Sequence, residues 1–579
     1  MTITSAISES FLPLLRPSWL TGPIFDKELR ISSRHRRNYV LRSAYVAVLA
    51  VFVVMVWLGS AQWIRSSGLY SASRMAEAGK RIVMTIVWFQ FYATQILTVF
   101  MLSTAINEEV YRRTLGTLMT TPITSFQIVM GKLLSRLFQI ILLLAISLPL
   151  LAIVRIFGGV PWDYVVSSLC ITLTAVIFAG SVSLFFSIFS RRAYVVIILT
   201  CLALGALFGL FSSLAVEIFG HPWGRRGGVP VMLYLNPYML LAFNTDIMIS
   251  PRMAGRASVS LLAHCSIMLL ASAGVLYASV RLVRKVALAQ AAGGAGVFSR
   301  LWGMRPRKAL KNAVAMKSAG RIRRVSGPPV MWKELITRRS DREKIFVMTI
   351  IGTELIMIAA IYLFPYLAGT IGMEEAHATY VAIFMGLGAL SVTVFPATCI
   401  ASEKEVRSWP LLMTTTVSDW EIILGKFVGV LRRSLPFWLI LVVYLIPFWG
   451  IIAFGVLEVA ALVVGTTVFL CGTGLYVSSR AKRINTAVAA NFIVAASVWG
   501  ILHFVMALFK RSFESFSFYR RPLVDCFVET IPFIPAMETV WSRRYNTSGR
   551  ALLYLLSYII VGLFFAWRAK CRFRRDVFQ

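Results

Sequence analysis

Apolar residues gather in runs about as long as the roughly 20 residues that carry a helix across a bilayer. The runs cover 40–60, 83–106, 133–156, 164–189, 193–216 and 259–281, then, after a long polar break, 345–367, 378–401, 428–452, 455–478, 485–509 and 551–568. Leu, Ile, Val, Phe and Ala fill them without strict alternation, which predicts helices and not barrel strands. The expected fold is all-α and membrane-embedded, with about twelve transmembrane helices, six on each side of the break. The N terminus lacks the charged start, apolar core and small-residue cleavage site of a signal peptide.

The two sets of six read as copies of each other. The polar stretch 105–132, AINEEVYRRTLGTLMTTPITSFQIVMGK, aligns without gaps to 399–426, CIASEKEVRSWPLLMTTTVSDWEIILGK, with ten identities in 28 positions. They are Ile106/Ile400, Glu109/Glu403, Arg113/Arg407, Leu118/Leu412, Met119/Met413, Thr120/Thr414, Thr121/Thr415, Ile128/Ile422, Gly131/Gly425 and Lys132/Lys426. Gly22-Pro23 followed by Lys27-Glu28-Leu29 answers Gly327-Pro328 followed by Lys333-Glu334-Leu335, each before the first run of its half. An even number of spans gives both copies one orientation, so they are expected as parallel repeats about a pseudo-twofold axis along the membrane normal. Residues 1–281 form the first half, with an amphipathic segment at 22–38. Residues 345–579 form the second, and a basic connector at 282–344 joins them.

Composition agrees with the pattern. Of 579 residues 58% are hydrophobic and only 15% charged, against about 25% charged in soluble domains. The net charge of +34 would suit nucleic acid, but its placement points elsewhere. The side holding both termini collects 43 of the 59 Lys and Arg, so the charge is a topology signal that puts the termini in the cytoplasm. No nucleic-acid partner is expected. The seven cysteines include no CxxC pair, so neither a disulfide framework nor a zinc site is indicated.

The loop 105–132 mixes Leu115, Leu118, Met119, Ile123 and Phe126 with Thr, Glu and Arg, as a short helix, a Thr121-Pro122 turn and a second helix would. One such loop could merely return the chain, but turning does not require ten repeated side chains, so a docking partner is expected on each. Here the sequence resembles a family. Glu-x-x-x-Arg-x-x-x-x-Leu-Met-Thr-Thr-Pro followed by Gly-Lys resembles the coupling-helix loop of type-2 ABC transporter permeases. The resemblance implies an exporter-type permease in the plasma (bacterial inner) membrane, driven by a separate cytoplasmic ATPase in two copies that carries the ATP and Mg. By it, Glu109, Arg113, Thr114, Leu118, Met119, Thr121, Pro122, Gly131 and Lys132 would face one ATPase subunit. Glu403, Arg407, Ser408, Leu412, Met413, Thr415, Gly425 and Lys426 would face the other. The chain departs from the family at Arg113 and Arg407, where Gly is usual, and Thr416 replaces Pro122 in the second copy.

Neither Gly-Lys pair belongs to a GxxxxGK[ST] phosphate loop, so no ATP hydrolysis, and no cofactor or metal, is expected in this chain itself. The five histidines form no HExxH and no GxSxG surrounds a serine, so no enzyme is indicated. His264 and His503 read as helix-packing donors. Glu354, inside the seventh run, is either a structural partner for a residue such as Gln90 or Gln95, or a pathway or proton-coupling group. An ion-coupled carrier using Glu354 and a non-transporting scaffold are the competing functions. The outer loops 217–258 and 510–550 hold either short re-entrant helices or irregular chain.

Overall fold

The computed structural model describes residues 18–34, 36–64, 71–107, 109, 121, 123–156, 160–190, 193–210, 230–249, 259–291, 327–336, 348, 352, 355, 374–445, 453–502 and 548–572. Every regular element among them is helical. Seven helices are long and apolar enough to cross a membrane: Ala76–Ser103, Ser125–Ala152, Trp162–Phe189, Leu261–Val286, Phe384–Glu405, Asp419–Leu445 and Val459–Arg480. They mark a multi-pass membrane protein. Shorter apolar helices occupy Tyr39–Val51, Ala193–Gly209 and Ile484–Trp499. All of the run at 345–367 except residues 348, 352 and 355 lies outside the described residues, Glu354 included, as do His503 and nearly all of 510–550.

Two compact units divide the chain. In the first, α1 (Ser18–Arg34) precedes α2 (Arg36–Ile64) and α3 (Ser71–Ser103). Next come α4 (Ser125–Ile156), α5 (Trp162–Phe189), α6 (Ala193–Leu204), α7 (Pro230–Leu235), α8 (Pro237–Ile249) and α9 (Leu261–Ala291). Helix α5 is the hub, packed against α3, α4, α6, α8 and α9. Its interior face is built of small residues, among them Ser168, Thr172, Ala175, Ala179, Gly180 and Ser183. Ser168 and Thr172 bond back to carbonyls one turn earlier, Thr172 to Ser168 at 2.7 Å, while Ser183 donates across to the Val99 carbonyl of α3 at 3.2 Å, so neighbouring helices approach with these hydroxyls satisfied. A Cβ on Gly180 would lie 2.9 Å from Leu102 Cδ1.

The stretch 217–258, where the sequence leaves short helices and irregular chain both open, is helical where described, apart from Asn236. Asn236 breaks it into α7 and α8 and caps α8, its Oδ1 accepting the Tyr238 N–H at 2.9 Å. Helix α8 is fixed to α5 by Tyr164–Thr245 at 3.1 Å and Asn244–Ser167 at 3.3 Å. His264 Nδ1 lies 2.8 Å from the Tyr234 carbonyl, a packing contact.

The second unit holds α10 (Pro329–Ile336), α11 (Glu374–Cys399), α12 (Ala401–Glu405), α13 (Trp409–Met413) and α14 (Asp419–Leu445). It ends with α15 (Ala453–Arg480), α16 (Ile484–Ala496) and α17 (Ser548–Arg572). Helices α15 and α17 cross so closely that a Cβ on Gly472 would run into the Gly562 carbonyl. Both α6 and α16 continue into a six-residue π turn, at Gly205–Leu210 and Ser497–Leu502.

Candidate functional site

The second repeated loop is the better described. Helix α11 ends at Cys399, and Ile400 and Ala401 turn the chain by giving their backbone N–H groups to Ser478 Oγ at 3.1 and 2.9 Å. Lys404 Nζ donates to the neighbouring Ser479 carbonyl. Helix α12 closes with Arg407 N–H on the Lys404 carbonyl and Ser408 N–H on the Glu403 carbonyl, at 3.0 and 2.9 Å. That is a Schellman cap, whose outer residue must be left-handed. Arg407 fills the position at φ 60°, which costs a side chain about 1 kcal/mol relative to glycine. Trp409, 2% exposed, anchors α13. Ser418 and Glu421 then exchange backbone and side-chain bonds at 3.3 Å, the capping box that starts α14.

Glycine spacing on α14 sets up the centre of the site. A Cβ on Gly425 would lie 2.7 Å from Val330 Cγ1 and 2.9 Å from the Met331 backbone nitrogen, and one on Gly429 would lie 2.9 Å from Glu334 Oε2. One turn apart, the two glycines form a groove that takes α10 at backbone distance. Lys426, its side chain 5% exposed, reaches Glu403 Oε1 at 2.6 Å and Glu334 Oε1 at 2.8 Å. Arg433 adds a 3.2 Å pair to Glu334 Oε2, and Arg432 donates to the Glu334 backbone carbonyl at 2.7 Å. Burial alone would raise the Glu334 carboxyl, but the Lys426 ammonium, helped by Arg433 and Lys333, holds it below the ordinary carboxylate range. One buried cation thus ties together the pre-helix segment, the loop and α14.

The first unit repeats this arrangement. Ser187 Oγ accepts the N–H groups of Ile106 and Asn107 at 3.1 and 2.9 Å. Thr124 and Gln127 form the capping box of α4 at 3.1 and 3.2 Å. Lys132 meets Glu109 at 3.2 Å and Glu28 at 3.5 Å, with Arg136 on Glu28 at 3.4 Å.

The residues singled out by repetition therefore divide. Glu109, Gly131, Lys132, Glu403, Gly425 and Lys426 turn inward and hold the loops. Leu412, Met413 and Ser408 are half-buried, while Arg407, Thr415 and Thr121 are exposed. Arg113, Thr114, Leu118, Met119 and Pro122 lie outside the described residues. The most outward apolar side chains in the second loop are ones the repeat did not flag: Val406 and Leu411, 68% and 71% exposed, with Pro410 between them. They differ from Arg112, Gly116 and Thr117 at the matching positions, so internal comparison could not find them. Serines 187 and 478 were also missed. The capping boxes were legible as Thr-x-x-Gln and Ser-x-x-Glu before an apolar run. Among the described residues no group of three His, Cys, Asp or Glu is placed to hold a metal. No family model matches this chain, and no curated protein matches it either.

Proposed function

We propose that this chain is the membrane permease subunit of an ABC-type exporter, with both repeated loops serving as docking handles for a separate cytoplasmic ATPase. In this reading the chain crosses the membrane about twelve times as two parallel six-helix repeats, with both termini and both loops in the cytoplasm. Val406, Pro410 and Leu411 supply an apolar contact too small to be a core and too exposed to be packing. The observation that carries the reading is the buried Lys426 cluster, which fixes the loop rigidly to α10 and α14. A loop that merely turned the chain would need no such brace, whereas a handle that transmits force does.

Purification of the full chain from native membranes tests this. The expected result is a co-purifying P-loop ATPase that is lost in Val406→Asp/Leu411→Asp while membrane insertion is unchanged. A chain that purifies alone, or a variant that keeps the ATPase, contradicts the reading.

A further inference from the structure

Helix α1 has two unlike faces. Inward lie Ile24, 9% exposed, and Glu28, paired with Lys132 and Arg136 on α4. Outward lie Lys27, Arg30, Ile31 and Arg34, with Arg36, Tyr39 and Val40 following on the first turns of α2. Lys27, Arg30 and Arg34 are spaced three and four apart, so they form one stripe along the helix. Asp26 is the only exposed acid among the described residues of this stretch.

What covers that stripe follows from the chain just beyond it. Beyond Arg42 α2 is apolar, and Val51 and Val54, like Val40 before it, face outward at 48%, 53% and 66% exposure, as suits hydrocarbon. The charge pattern puts the boundary between water and hydrocarbon between Arg36 and Arg42, about 9 Å of helix rise. The cationic stripe of α1 precedes that boundary in the chain, on the polar side of it. The Arg42 guanidinium lies 5.8 Å from the Tyr39 ring centroid, an interfacial pairing of cation and aromatic.

We propose that the outward face of α1 and the start of α2 bind the phosphate groups of anionic phospholipids, and that this occupancy holds Glu28 against Lys132. Lipid on one face of the helix then supports the ion cluster on the other, so the first repeated loop becomes sensitive to lipid charge. The proposal stands apart from any ATPase, since it needs only the bilayer.

Hydrogen exchange of residues 18–34 in the full chain tests it, in nanodiscs of phosphatidylcholine alone or with phosphatidylglycerol. Phosphatidylglycerol should slow exchange about a hundredfold, the scale expected of three basic side chains at an anionic surface. Lys27→Gln/Arg30→Gln/Arg34→Gln should lose that slowing yet exchange like the native chain in phosphatidylcholine. Lys27→Arg/Arg34→Lys should keep it. Equal exchange in both lipids, or slowing that survives the triple substitution, overturns the proposal. So does equal slowing by inorganic phosphate in phosphatidylcholine discs, which would mark a site for free anions.

Discussion

The clusters around Lys132 and Lys426 assemble the same residue types from matching places in the chain, yet the second is drawn tighter. Lys426 sits 2.6 and 2.8 Å from its carboxylates, Lys132 3.2 and 3.5 Å from its own. The two clusters also differ at the position one turn beyond the glycine of the Gly-Lys pair. It is Gly429 in the second unit, where a Cβ would lie 2.9 Å from Glu334 Oε2, and Ser135 in the first. At Gly429 the absence of a side chain lets Glu334 approach α14 closely; Ser135 instead donates its hydroxyl to the Lys132 carbonyl at 3.0 Å.

The strongest way to break the comparison is to remove the cations. Lys426→Met leaves two buried carboxylates facing each other, and should cost about 3–5 kcal/mol, read as a large fall in thermal unfolding temperature in detergent. Lys132→Met should cost less, because Glu28 and Glu109, at 22% and 25% side-chain exposure, can turn to water. Equal losses would mean that the tighter geometry carries no energy. A smaller effect comes from exchanging the spacer. Gly429→Ser should loosen the second cluster by about 1–3 kcal/mol and bring the Lys426→Met penalty down toward that of Lys132→Met. Smallest is Arg407→Gly, which should raise stability by about 1 kcal/mol by freeing the left-handed cap residue of its side chain. An unchanged unfolding temperature would place that strain elsewhere.

The same comparison shows what the sequence could and could not say. Hydrophobic runs report burial against water or lipid, so most of the runs read from sequence lie on helices. The repeat marked Gly131-Lys132 and Gly425-Lys426, and separately Lys27-Glu28 and Lys333-Glu334, but nothing local joins them. Lys426 and Glu334 stand 92 residues apart and meet only after α10 settles into the glycine groove of α14. Side chains kept identical in both copies turned out, at Ile400, Glu403, Ile422, Gly425 and Lys426, to be those that brace the loop from within. In the second loop the most exposed apolar side chains, Val406 and Leu411, stand at positions where the copies differ. Thr121 and Thr415 are exposed in both loops. Thr415 caps α13 through its hydroxyl, 2.6 Å from the Leu412 carbonyl.

The central claim is that the second loop is a handle gripped by a nucleotide-hydrolysing companion. A photo-crosslinking amino acid placed at position 411 of the full chain in living cells tests it most directly. The account predicts one dominant adduct, to a soluble protein carrying a P-loop, that disappears when Lys426→Met unbraces the loop. Adducts to lipid alone, or no protein adduct from a correctly inserted chain, would contradict it.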